Sequence, residues 1–388
     1  MLEIGFGRAG ITPAADHWPI WLAGYGDRRD PAECVHDDLD ARVMVARSDS
    51  VTVALVVTDL MAMSRDWAGA IRRGVADELG VGVESVLTST IHTHAAPSTI
   101  TGTEALGWPV AHSWQPDLVA ACRAAARAAA DGTRPVSLRF ARIGLPPALS
   151  FNRRNHVYAP TYAVLDVLEA NSGDGRRGTG HRLGTIVNFG VHAVVLGPKN
   201  LAVSADWVGV CRREVEARLG GTTFFVQGCQ GDVDPHGMQW DGDQERAFAA
   251  VERVGEDFAL AAVAAAAVAR PVAGAEHERA SVASAHRRMT LDASGSGLAA
   301  ITGRATVDVE LFEWTIGGVR FVTVPGEGFA QLGEAIVVAR ATAPTVLCGF
   351  APDWLGYLPV PFTEGYEEGL SYGPNAVGAI VEALIDVP

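Results

Sequence analysis

From Val51 to Asp59 the chain runs Val-Thr-Val-Ala-Leu-Val-Val-Thr-Asp, an apolar, β-branched stretch that predicts a strand. Ser64 to Gly80 then shows helical spacing of its apolar residues, with a serine near the start and a glycine just past the end. Ser85 to Ile91 is a second apolar strand. Strand, helix and strand in this order read as a βαβ unit with parallel strands. The segment closes on His-Thr-His, which sets His92 and His94 at the carboxyl end of a parallel strand. That edge is where open α/β sheets bind ligands.

The alternation persists through the middle of the chain. Helices are predicted over Gln115–Gly132, Asp206–Gly220 and about Asp243 to Arg270, the last closed by Pro271. Strands are predicted over Val136–Gly144, Gly184–His192 and Thr222–Gly228. Further on the pattern changes, and Ala305–Glu327 reads as two strands around Gly317-Gly318, a good hairpin pair. A helix over about Gly328–Thr342, the short run Thr345–Phe350, a loop rich in Gly, Pro and Tyr, and a last helix close the chain. No internal repeat, low-complexity tract or linker interrupts the pattern. It predicts one α/β domain over residues 1–388, built on a mixed, largely parallel sheet or sheets flanked by helices.

Composition narrows the function. Hydrophobic residues make up 48% and charged residues 20% of the 388 positions, the balance of a globular protein. The net charge of −14, with no local run of Lys and Arg, excludes a nucleic-acid partner and argues against docking on an anionic membrane face. The longest apolar run, Phe258 to Ala269, is too short to span a bilayer. The five scattered cysteines form no CxxC pair, and the N-terminus lacks a charged start followed by an apolar core. A cytoplasmic protein is therefore expected.

The chemistry gathers at the ends of predicted strands. His92 and His94 stand two apart, so on a strand both point to one face. Such a pair either hydrogen-bonds in a polar rim or shares a metal, and His-x-His is compatible with Zn²⁺ without being specific to it. His192 also closes an apolar strand, as a core histidine or as a third ligand. Glu327 in Val-Pro-Gly-Glu either caps the helix that follows or adds a carboxylate to the same set. Two histidines and a carboxylate at strand ends would leave a zinc position open for water or substrate. The loop Gly228–Gly237 contributes Asp232 and Asp234, with Cys229 beside it as a nucleophile candidate.

Eight motifs then occur in a telling order: GRAGITP, TSTIHTHAAPS, NRR, NFGVHAVVLG, SADWVG, QGDVDP, VPGE and GYLP…YEEGLSYGP. In that order they resemble the catalytic domain of the neutral, non-lysosomal ceramidases over nearly the whole chain. The resemblance implies a ceramidase-like fold and a zinc-dependent amidohydrolase. It matches His92, His192 and Glu327 to zinc ligands and Tyr357 to the tyrosine that completes the shell. It matches His94, Arg153 and Tyr366 to polar residues around the reacting carbonyl.

Two departures shape the expected reaction. The ceramidases continue into a C-terminal immunoglobulin-like domain, whereas this sequence stops at Pro388. They also carry a nucleophilic serine where this chain has Asp234. An aspartate there would form an acyl anhydride, a poor intermediate for amide cleavage. The expectation is therefore attack by metal-activated water, with Asp234 as general base. An amide of a small or medium-sized molecule is preferred over an ester or lactone. True N-acylsphingosine hydrolysis and a catalytically inactive binding relative are the alternatives. Asp232 is expected to be a structural turn residue.

Overall fold

A computed structural model of the chain describes residues 1–49, 51–155, 160–170, 181–273, 281–363 and 365–386. Three parallel strand pairs organise it, and each pair is joined by a helix. In the first, Val51–Thr58 and Val86–Thr90 run parallel and are linked by the helix Arg65–Leu79. Trp67, Ile71 and Val75 recur at helical spacing and are buried, which docks the helix on the sheet. In the second, Arg182–Phe189 and Thr222–Gln227 are linked by Asp206–Leu219. In the third, Val319–Val324 and Thr345–Gly349 are linked by Ala330–Ala339.

The first two pairs form the opposite edges of one large sheet. Its order is Thr222–Gln227, Arg182–Phe189, Thr161–Glu169, Arg134–Gly144, Glu3–Gly10, Asp40–Ser48, Val51–Thr58, Val86–Thr90. The mixed α/β architecture with flanking helices agrees with expectation. The expected predominance of parallel pairing within it is corrected, because the pairings between the two edge pairs are all antiparallel. Parallel neighbours need a crossover of a dozen or more residues. Ser48 instead pairs with Val51 at a tight reversal, which leaves no room for one. Glu3–Gly10, Asp40–Ser48 and Thr161–Glu169 are strands that the hydropathy reading did not anticipate.

The third pair belongs to a second sheet, in the order Val282–Asp292, Thr306–Ile316, Val319–Val324, Thr345–Gly349. Gly317 and Gly318 both have positive φ, 57° and 84°, and turn the predicted hairpin between Ile316 and Val319. This is the conformation that glycine adopts without a Cβ clash.

Buried polar side chains lock the three parallel pairs together. Gln227 Nε2 donates to Ile91 O at 3.1 Å and to Val191 O at 2.9 Å, which ties the two edges of the large sheet to each other. Asn188 Nδ2 donates to Val226 O and Leu347 O, both at 2.8 Å, while Leu347 N donates to Asn188 Oδ1 at 3.0 Å. Ser89 Oγ donates to Gly349 O at 2.7 Å. A Cβ on Gly349 would stand 2.6 Å from Gly228 O, so the backbones meet more closely than any larger residue allows. The carboxyl ends of all three pairs therefore face one place. No helix among the described residues is long and apolar enough to cross a membrane.

Candidate metal centre

Each parallel pair delivers side chains to that place from just beyond its strands. His92 and His94 follow Val86–Thr90, but they lie past the end of the strand, and His92 has φ 64°. Strand alternation is therefore not what brings them together. The left-handed turn at His92 does so, and it sets the two rings edge to face with centroids 4.7 Å apart. His192 stands beyond Arg182–Phe189, and Asp234 beyond Thr222–Gln227. Glu327 and Tyr357 follow the strands of the third pair and oppose each other in a short parallel ladder, which also pairs Gly328 with Leu358.

The imidazoles His92, His94 and His192 form a group able to hold a metal, with one ligating atom from each within 4.8 Å of the others. Glu327 joins them. Its Oε2 lies 3.4 Å from His92 Nε2 and 3.4 Å from His192 Nε2. The backs of both rings are fixed. His92 Nδ1 donates to Met61 O at 2.9 Å and His192 Nδ1 to Val233 O at 3.1 Å. A carbonyl only accepts, so the proton of each neutral ring sits on Nδ1 and the Nε2 lone pair points inward. Burial lowers the pKa of His92. It lowers that of His94 well below the ordinary value, with the His92 and His192 imidazoles adding to the effect.

Acceptors thus converge on acceptors. The lone pairs of His92 Nε2 and His192 Nε2 both face Glu327 Oε2, which is buried without a hydrogen-bond partner, while His94 Nε2 lies 3.2 Å from His92 Nε2. A cation resolves that arrangement. A tetrahedral ion with ligands at about 2.0–2.1 Å separates neighbouring ligand atoms by about 3.3–3.4 Å, which the 3.4 Å contacts reproduce. The donor set, imidazole nitrogen with carboxylate oxygen, also suits Zn²⁺.

Over 99% of its length the chain superposes on 73% of the neutral ceramidase from Pseudomonas aeruginosa, with a TM-score of 0.80 at 18% sequence identity. A ceramidase complexed with C2 gives a TM-score of 0.77 at 18% identity, over 99% of this chain and 74% of that one. The fold is ceramidase-like. No family model and no curated protein matches the sequence.

In this ceramidase-like fold, the remaining candidates surround the centre. Asp234 Oδ1 lies 3.4 Å from His192 Nδ1, and Oδ2 lies 3.4 Å from Arg153 Nε. The antiparallel pairing of Ser150–Asn152 with Val233–Pro235 is what brings Arg153 beside Asp234. Arg153 NH1 donates to the Tyr366 hydroxyl at 2.5 Å, and its NH2 faces Glu367 Oε1 at 3.4 Å. Burial opposes the Arg153 charge, but Asp234 and the other acidic groups around it outweigh burial and raise its pKa. Burial pushes the Tyr366 phenol up to about 12, and it pushes Tyr357 well above 10 with the Glu327 charge adding to the effect. Both phenols therefore keep their protons at neutral pH. The same cause lifts Cys229 to about 12, which leaves its buried thiol inert as a nucleophile.

Asp232 is structural, as its position implied. Its Oδ1 accepts from Ala330 N at 2.8 Å at the start of the helix Ala330–Ala339, and its Oδ2 accepts from Asn152 Nδ2 at 2.7 Å. Glu327 does not cap that helix.

A cavity of about 260 Å³ opens over the centre. Of the tryptophans in loop-like stretches, Trp108, Trp240 and Trp354 line it, whereas Trp114 packs beside Trp67 at 6.2 Å. Some supporting residues carried no signal in the sequence, and others lay in a motif whose role it did not give. Met61 offers only a backbone carbonyl, and the Trp354 indole donates to Glu327 Oε1 at 3.0 Å across a long stretch of chain. Asp206 and Trp207, in the SADWVG motif, hold the His192 segment. Asp206 accepts from Val195 N and Leu196 N, at 3.2 and 3.0 Å, and Trp207 Nε1 donates to His192 O at 2.9 Å.

Proposed function

We propose that the chain is a zinc-dependent hydrolase that cleaves an amide bond of a small or medium-sized molecule. The observation that carries this reading is the convergence of His92 Nε2 and His192 Nε2 on the unpartnered Glu327 Oε2, at 3.4 Å each. In this reading His92, His192 and Glu327 hold the ion and Tyr357 completes the shell. A bound Zn²⁺ supplies Lewis acidity, polarising a carbonyl and lowering the pKa of water to about 7. One domain over residues 1–388 belongs to the same reading, because the histidines come from the large sheet and Glu327 from beyond the second.

The protein's own groups do the rest. Asp234 takes the proton of the attacking water and passes it to the leaving amine, as general acid–base catalysis requires. Its contacts with His192 and Arg153 hold the carboxylate in place. His94 and the protonated Tyr366 phenol donate to the developing oxyanion. Arg153 acts mainly through Tyr366, since its own nitrogens already face Tyr366, Asp234, Glu367 and Gly231 O. Ester or lactone cleavage would use the same groups, with less need for a proton at the leaving atom. Five unpaired cysteines, four of them buried, fit a cytoplasmic setting.

Metal content and the activity of Asp234→Asn test this reading together. The expected result is bound zinc with activity lowered by about 10²–10⁴-fold. Bound zinc with full activity would remove Asp234 from its role as base, and a protein that takes up no divalent ion would remove the reading. The likeness to ceramidase folds favours a second reading, N-acylsphingosine hydrolysis. Robust turnover of a long-chain ceramide, above that of short N-acyl compounds, would establish it over the first. Zinc binding with no turnover of any N-acyl compound would point to an inactive, ligand-binding relative.

A further inference from the structure

We propose that Tyr25, Trp108 and Trp240 form an acyl pocket that restricts the substrate to N-acyl groups of roughly four to eight carbons, by volume. This deepens the hydrolase reading above and rests on it.

The cavity over the metal centre has two unlike flanks. On the His192 side stand Asp234, Arg153 and Tyr366, all polar. On the His94 side stands an aromatic wall. The Tyr25 ring meets the His94 ring edge-on at 4.9 Å and the Trp240 ring edge-on at 5.6 Å. Every polar atom of this wall is tied to backbone. The Tyr25 hydroxyl donates to Leu196 O at 3.1 Å, Trp108 Nε1 to Tyr25 O at 3.1 Å, and Trp240 Nε1 to Val194 O at 3.0 Å. With their donors turned away, the rings offer the cavity only apolar surface. Leu106 and Val194 complete that flank.

The reaction decides which part of the substrate meets which flank. The leaving amine needs a proton, and Asp234 carries it, so the amine faces the polar side. The scissile carbon sits between the flanks, and the acyl chain therefore points to the aromatic wall. Its length is bounded by volume. A cavity of about 150 Å³ holds a benzene, so one of about 260 Å³ holds roughly ten non-hydrogen atoms. Subtracting the amide and the atoms beside it leaves a short chain. Trp240, 43% exposed, stands at the mouth on the apolar side and would stop a longer one.

The test is a series of N-acyl ethanolamines from acetyl through butyryl, hexanoyl, octanoyl and dodecanoyl to hexadecanoyl, assayed by amine release from the zinc-loaded protein. We expect kcat/KM to rise about fourfold per added methylene while the chain is being buried, and then to fall at least tenfold by dodecanoyl. Trp240→Ala should move the optimum to a longer chain. A second arm needs no turnover: hexanoate should change the indole fluorescence of the wild-type protein at lower concentration than hexadecanoate. A rate that climbs through hexadecanoyl, or hexadecanoate binding as tightly as hexanoate, overturns the pocket while leaving the hydrolase reading intact. Failure to hydrolyse any member overturns the hydrolase reading and this one with it.

Discussion

Trp354→Phe removes one hydrogen bond from the carboxylate on which the candidate metal centre converges. The indole Nε1 donates to Glu327 Oε1 at 3.0 Å between two buried side chains. The other oxygen, Oε2, has no hydrogen-bond partner and faces His92 and His192. A hydrogen bond to a charged acceptor contributes about 1.5–3 kcal/mol, and its loss leaves a buried oxygen unsatisfied. At about 1.4 kcal/mol per tenfold, that predicts metal binding weaker by roughly 10- to 100-fold, the range usual for partners that orient a ligand. The assay is competition for Zn²⁺ against a chelator of known affinity. Trp108→Phe is the control, because that indole lines the same cavity but donates to Tyr25 O instead. Zinc affinity within threefold of wild type in Trp354→Phe, or an equal loss in the control, would refute the role assigned to the indole.

Two further perturbations probe the supports of the site. Burial raises the Asp206 carboxyl from 3.8 to about 6. The folded protein therefore holds this proton more tightly than the unfolded chain does, which favours folding at low pH, and the advantage is lost as pH rises through that window. At 1.36 kcal/mol per unit the change is about 3 kcal/mol, so the stability of wild type relative to Asp206→Asn should fall by about that much between those pH values in urea unfolding. A constant difference would show that Asp206 does not titrate there. Gly24 has φ 109°, and a Cβ on it would lie 2.3 Å from His94 Nδ1. Gly24→Ala should therefore displace His94 and lower kcat/KM by tenfold or more with zinc still bound, and unchanged kinetics would remove His94 from the reaction.

The parts of this molecule that the sequence made legible are those with local causes. The helix from Ser64 to Gly80 was readable because Ser64 and Gly80 mark its ends, and Gly80 takes the left-handed conformation, φ 66°, that a C-terminal stop uses. The hairpin at Gly317-Gly318 was readable because both positions need positive φ. The antiparallel interior of the large sheet was not, because Glu3–Gly10 and Asp40–Ser48 find their neighbours through pairing alone. Hydropathy predicted a largely parallel sheet. Within the large sheet and the second, four-stranded sheet, parallel pairing is confined to three strand pairs, and those pairs carry the site.

The sequence by itself placed His92, His94, His192, Asp234 and Glu327 at or near the ends of apolar strands. Hydropathy and spacing are properties of the chain, and they survive without knowledge of the fold. The tertiary structure alone decided that these ends meet. Gln227, Asn188 and Ser89 bind one parallel pair to another through buried hydrogen bonds that cross from 136 to 260 residues of sequence. The left-handed turn at His92 aims its ring, and the Met61 and Val233 carbonyls choose which ring nitrogen faces inward. Donor direction and side-chain convergence depend on three-dimensional neighbours, and no local pattern of residues encodes them.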